Sequence, residues 1–174
     1  MSRLRPIALE EVNHLDLTSF TALFGDVAEH SPWVAEAAAH GRPYADREAM
    51  VAAFVDAVMR APRMDQLELI RAHPNLAGRA AIAGSLTADS KREQVGAGLD
   101  SLTPAEFARF SDLNGFYKQQ NGFPFIFAVK GATKDQILAA FEERVRNDHA
   151  TEFATALSQV CRIFRFRIED RVKS

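Results

Sequence analysis

Thr103-Pro104-Ala105-Glu106-Phe107 opens the stretch that decides the fold, which runs through Tyr117 to Gly122 and on into Phe123-Pro124-Phe125-Ile126-Phe127-Ala128-Val129. Thr103 and Glu106 make a capping box, and Pro104 takes the first helical position, where a missing N–H costs nothing. Phe107, Phe110, Leu113, Asn114 and Tyr117 then recur at helical spacing on one face, and Gly122 stops the helix. The residues after it change character. Phe123 to Val129 are apolar, aromatic or β-branched and lie between Gly122 and Gly131, which predicts an extended segment. No second strand signal accompanies it. Backbone N–H and C=O groups here therefore lack a sheet and must meet side chains, water or a ligand. The segment is thus a candidate binding wall, with a buried connector as the plainer alternative.

Working outward, helix signals dominate. Thr133 and Gln136 form a second capping box, followed by Ile137, Leu138, Phe141 and Val145 on one side. Ser31-Pro32 reads as a cap followed by proline at the helix start, with Trp33 to His40 behind it and His30 and His40 as flanking caps. Asp46 caps a helix carrying Met50, Phe54, Ala57 and Val58, which closes by Pro62. Asp65 to Ala72 is amphipathic, Thr87 or Asp89 opens a helix reaching Ala97, and a last helix runs from about Thr151 towards Arg171. The expected fold is all-α: a single compact helical domain over 1–174 with one short extended segment near 123–129.

Composition narrows the partners. The 174 residues include 21 basic and 23 acidic side chains, a formal net charge of −2, so neither nucleic acid nor an anionic membrane is expected as a partner. The densest basic stretch, Arg162, Arg165, Arg167 and Arg171, is interrupted by Glu169 and Asp170 and reads as the solvated face of a terminal helix. The lone cysteine, Cys161, has apolar neighbours and cannot form an intramolecular disulfide. No apolar run approaches membrane-spanning length and no signal-peptide pattern appears, so a reducing cytoplasm is the expected compartment. A homodimer is kept open as the assembly.

Several clusters can carry chemistry. His73-Pro74-Asn75-Leu76-Ala77-Gly78 follows a helix that Pro74 forces to stop, leaving an imidazole at an element end. Imidazole can give and take a proton near neutral pH, but a histidine there can also simply cap the helix. Ser90, Glu93 and Gln94 share a helical face as a compact array of hydroxyl, carboxylate and amide, either lining a pocket or solvated beside Lys91 and Arg92. Arg144 sits beside an apolar face, where it can grip a carboxylate in two-point contact or pair with Glu143. His149 and Glu152 have the spacing of two metal ligands on one turn, yet no second such pair exists, and no metal is assigned. Gly78, Gly84, Gly96 and Gly98 match neither a phosphate loop nor a dinucleotide fingerprint and are expected to allow turns or close packing.

Taken in order, five pieces resemble one family, the 2-oxo-4-hydroxy-4-carboxy-5-ureidoimidazoline (OHCU) decarboxylases of urate catabolism. They are His73 to Gly78, Ser90-x-x-Glu93-Gln94-x-x-Ala97-Gly98-Leu99, Asn114-x-x-Tyr117, Gly122 to Lys130, and Phe141-Glu142-x-Arg144-x-x-Asn147-x-x-x-x-Glu152. The resemblance implies decarboxylation of OHCU to (S)-allantoin without cofactor or metal. It implies His73 and Glu93 as the catalytic pair. Pro74, Ser90, Gln94 and Arg144 would line the substrate, with backbone groups near Phe123, Ile126 and Phe127 on its amides. A non-catalytic helical module that binds a purine-like metabolite or a partner protein is the alternative.

Overall fold

The structure is a computed structural model that describes residues 5–78 and 86–174; the turn expected at Gly84 lies outside the described residues. In chain order the helices are α1 (Leu9–His14), α2 (Leu17–Phe24), α3 (Trp33–Ala39), α4 (Arg47–Met59), α5 (Arg63–Ala72), α6 (Ala88–Gly96), α7 (Pro104–Asn121), α8 (Lys134–Arg144) and α9 (His149–Arg171). Among the described residues the only β pairing is an isolated parallel bridge, Ile7 with Val172. The fold is all-α, as the capping boxes and apolar spacing required. Its contacts divide into two compact units, one of residues 1–72 and 160–174, the other of residues 73–159.

In the first unit, α3 packs on α4 and α2 on α3. Asp16 and Asp46 cap α2 and α4 by accepting the N–H of Ser19 and of Ala49, each at 2.7 Å. Phe20, Phe24, Phe54 and Phe164 are fully buried and form a chain of ring contacts, 5.0 Å between Phe20 and Phe24 and 6.1 Å between Phe54 and Phe164. Ser31 does not cap α3. Its hydroxyl donates to the Glu29 carbonyl, and the cap position falls to Pro32, which has no side-chain oxygen to offer. His30 sits in a left-handed turn at φ 47° just before it, while His40 does occupy the C-cap. Of the arginines of α9, Arg162 is exposed as the sequence suggests, but the others are tied to distant partners. Arg167 is 3% exposed and pairs at 2.9 Å with the equally buried Glu29, Arg165 grips Glu48, and Arg171 reaches the Leu23 carbonyl and Asp26. Apart from Glu169, which lies 3.6 Å from Arg165, these partners are more than a hundred positions away in sequence, which is why spacing along α9 suggested a solvated face.

The second unit is built around α7. Both capping boxes form with reciprocal side-chain and backbone bonds, Thr103 with Glu106 and Thr133 with Gln136. Gly122 ends α7 in the left-handed region at φ 75°, a conformation that favours glycine. Phe110 and Tyr117 of α7 meet Phe141 of α8, and Phe141 stacks on Phe125 of the following segment. Residues 124–129 belong to no helix and, among the described residues, pair with no strand; Phe123, Phe125, Ile126, Ala128 and Val129 are buried. Side chains meet two of its backbone groups. The Ala128 N–H donates to Gln159 at 2.9 Å, and the Ile126 carbonyl accepts from Arg144 at 2.7 Å.

Candidate active site

All the residues expected at the site belong to the second unit. His73 follows the end of α5 directly and is 7% exposed. The turn behind it is held from two helices. Gln94 of α6 accepts the Ala77 N–H through Oε1 at 3.0 Å, and its Nε2 approaches the Asn75 carbonyl at 3.4 Å. Asn114 of α7 donates Nδ2 to the Leu76 carbonyl at 2.8 Å. The clamp has strain to hold, because Ala77 lies at φ 52°, where a residue with a Cβ costs roughly 1–2 kcal/mol. Such strain persists only where surrounding bonds over-determine the backbone.

Helix α6 forms with Thr87 as its cap, which accepts the Ser90 N–H at 3.3 Å. Ser90 and Gln94 are buried and Glu93 is half-buried, so this face is turned inwards rather than solvated beside exposed Lys91 and Arg92. Through Gln94 it rests against the His73–Gly78 turn. Pro74 is half-buried. The amide of Gln94 spends its oxygen on that turn, so its first role in this structure is to shape the backbone carrying His73.

The second half of the site centres on Arg144, the last residue of α8. Its partner is not the adjacent Glu143 but Glu152 in the first turn of α9. Nε donates to Glu152 Oε1 at 3.0 Å, Nη1 donates to the Ile126 carbonyl at 2.7 Å, and the guanidinium lies 4.3 Å over the Phe125 ring. Nη2 also lies 2.9 Å from Glu152 Oε1, but its hydrogens are not aligned on any acceptor, and it is buried. Glu152 is wholly buried and is further bonded by the Tyr117 hydroxyl at 2.6 Å and by Asn147 Nδ2 at 3.0 Å. Burial, and then the bond to Glu152, push the Tyr117 phenol well above its ordinary range, so it stays a donor.

Helix α7 links the two halves. Asn114 and Tyr117 are three apart and share a face: Asn114 holds the turn after His73, and Tyr117 holds the carboxylate that holds Arg144. Phe123 is buried against Tyr117 at 6.0 Å and Phe153 at 6.2 Å, and Phe127 is half-buried, stacked on Phe125. Asn114, Tyr117, Asn147 and Glu152 belong to the family-like motifs, but their partners are distant in sequence or not specified by it. The available signal was two polar residues on the apolar face of α7. His149 and Glu152 do not act as a ligand pair, since His149 is exposed while the Glu152 carboxylate is occupied by Tyr117, Arg144 and Asn147. Among the described residues no group of three or more His, Cys, Asp or Glu side chains could hold a metal ion.

Comparison with known proteins identifies the family. The OHCU decarboxylase family model matches residues 13–169. The OHCU decarboxylase of Haloferax volcanii is 43% identical over 168 residues, covering 97% of this chain and 98% of that protein. A uric acid degradation bifunctional protein of Bacillus subtilis is 38% identical over 93% of this chain but 32% of its own length. Among solved structures, (S)-allantoin synthase superposes with a TM-score of 0.79 at 32% identity, over 97% of this chain and 55% of that one. An OHCU decarboxylase in the presence of (S)-allantoin superposes at 0.64 and 22% identity over 78% of this chain and 87% of that one, a likeness of fold. With a family model matching residues 13–169 and 43% identity to the Haloferax protein over nearly the full length of both, the chain belongs to the OHCU decarboxylase family.

Proposed function

We propose that this chain decarboxylates OHCU to (S)-allantoin in urate degradation. The observation that carries the reading is the end-to-end match, at 43% identity, to a protein named for that reaction. The family match crosses both compact units, which supports reading 1–174 as one functional domain. The reading keeps the enzyme in the cytoplasm, alone or as a homodimer, without nucleic acid or membrane. Among the described residues no helix is long and apolar enough to cross a membrane.

The chemistry follows from the substrate. Its carboxylate hangs on a ring carbon that also bears a hydroxyl and adjoins the carbon bearing the ureido group. When carbon dioxide leaves, the bonding pair forms a double bond between these two carbons, and the π electrons of the ring C=N move onto nitrogen, which takes a proton. The product of that step is an enol. A proton delivered to the ureido carbon, with loss of the hydroxyl proton, gives the carbonyl and the new stereocentre of allantoin. The substrate supplies its own electron sink, so the protein's work is orientation, charge stabilisation and proton delivery to one face. In this reading Arg144 binds the carboxylate, His73 moves the proton with Glu93 orienting it, and Ser90, Pro74, Gln94 and the 123–127 backbone enclose the ring. The burial of His73 and the buried, unaligned Nη2 of Arg144 support these roles.

Turnover of freshly made OHCU, followed by circular dichroism, tests the reading. The enol is planar, so uncatalysed protonation strikes both faces and gives racemate. Accumulation of the (S) enantiomer above the uncatalysed rate is the expected result. Racemic product at the uncatalysed rate would instead identify a binding module.

A further inference from the structure

We infer that Glu152, held by Tyr117 and Asn147, is a positioning residue. It locks the plane of the Arg144 guanidinium and so presents that guanidinium to the substrate carboxylate. The inference rests on the carboxylate-binding role proposed above for Arg144 and adds what makes that role possible.

A buried carboxylate is expensive, and where only stability is at stake a well-packed apolar side chain serves as well or better. Glu152 is nevertheless wholly buried and carries three side-chain donors: Tyr117 at 2.6 Å, Arg144 Nε at 3.0 Å and Asn147 at 3.0 Å. Those donors come from three places, α7, the end of α8 and the connection before α9, so the carboxylate has little freedom to rotate. The guanidinium it holds is constrained by three contacts. Glu152 takes the edge that includes Nε, the Ile126 carbonyl takes Nη1, and the Phe125 ring covers a face at 4.3 Å. A guanidinium has five N–H donors, and these bonds use two. Nη2 lies 2.9 Å from the same Glu152 oxygen and is buried, but its hydrogens are not aligned on an acceptor. A buried donor of this kind carries a desolvation cost that a ligand oxygen would relieve. A planar fork held rigid at one edge suits a carboxylate, because little side-chain freedom is lost on binding.

A competing role for Glu152 would be charge balance, and the two predict opposite outcomes. If Glu152 only offset the arginine, removing its charge would strengthen attraction for an anionic substrate. If it positions the arginine, removing it lets the guanidinium turn away and weakens binding. (S)-allantoin, which has lost the carboxylate, is the internal control. Steady-state KM for OHCU, the inhibition constant of (S)-allantoin and the melting temperature should be measured for Glu152→Gln, Tyr117→Phe and Arg144→Lys in the full chain.

Glu152→Gln should raise KM roughly tenfold or more, the scale of a lost charge-assisted hydrogen bond. Tyr117→Phe, which removes a single hydroxyl, should raise it by less. Both should leave allantoin inhibition unchanged. An unchanged or lower KM in Glu152→Gln overturns the inference, as does a parallel weakening of OHCU and allantoin that tracks lost stability. Should Glu152→Gln fail to fold, Tyr117→Phe decides by the same criteria. A wild-type KM in Arg144→Lys overturns the carboxylate assignment and the inference with it. A raised KM there alongside normal Glu152 and Tyr117 variants overturns the inference alone.

Discussion

His73 illustrates how little one residue's chemistry says without its backbone. An imidazole after Ala72 could be a cap or a proton carrier, and the strained, doubly clamped turn behind it favours a placed side chain. His73→Asn should keep the fold, since asparagine is tolerated at helix ends and fills much of the same space. Turnover should fall roughly a hundredfold or more, the usual contribution of a positioned acid or base. Enantiomeric excess should fall with it, because protonation then comes from solvent. A variant with lowered melting temperature but intact turnover per folded molecule and intact (S) preference would return His73 to capping. Cys161 is the contrasting case: it is half-buried, and burial pushes its thiol up to about 11, which disfavours the thiolate at neutral pH.

At the scale of elements, α6 and α7 matter for what they hold. Gln94→Ala would leave the buried Ala77 N–H without its acceptor, a cost of about 1–3 kcal/mol, in a turn that is already strained. Stability and turnover should fall together, read by urea unfolding and by the allantoin assay. Thr103→Ala separates the two. It removes the capping-box hydroxyl at the exposed start of α7, which should cost ~1 kcal/mol of stability. Asn114 and Tyr117 lie more than two turns further along α7, so turnover per folded molecule should be unchanged. A fall in turnover with Thr103→Ala would mean that the helix transmits fraying to the site.

Across the whole molecule, both tyrosines of the chain are buried, Tyr44 in the first unit and Tyr117 in the second. Burial pushes the Tyr44 phenol up to about 12 from 10.0, and Tyr117 moves in the same direction and further. Between about 10 and 12 the unfolded chain therefore binds fewer protons than the folded one, and stability falls as pH rises. The contribution is complete below 10 and is lost as pH climbs through the folded value. Melting temperature should decline above that point, with tyrosinate absorbance appearing together with unfolding, and Tyr44→Phe should flatten part of the decline. Tyrosinate absorbance in a still-folded protein at pH 10 would contradict this.

The capping boxes at Thr103 and Thr133, the stop at Gly122 and the unpaired segment after it were legible in the sequence, because each rests on contacts within about four residues or on φ preferences of single residues. The need for side chains to meet that segment's backbone was legible too, since a buried amide has to be bonded wherever it lies. Which side chains do so was not. Arg144 faces Glu152 rather than Glu143, Gln94 serves the turn after His73, and Arg167 leaves its solvated-looking stripe for Glu29. These outcomes depend on packing that brings distant segments together and removes water from charged and polar groups. Desolvation makes their partners obligatory, and only the tertiary structure decides which partners are within reach.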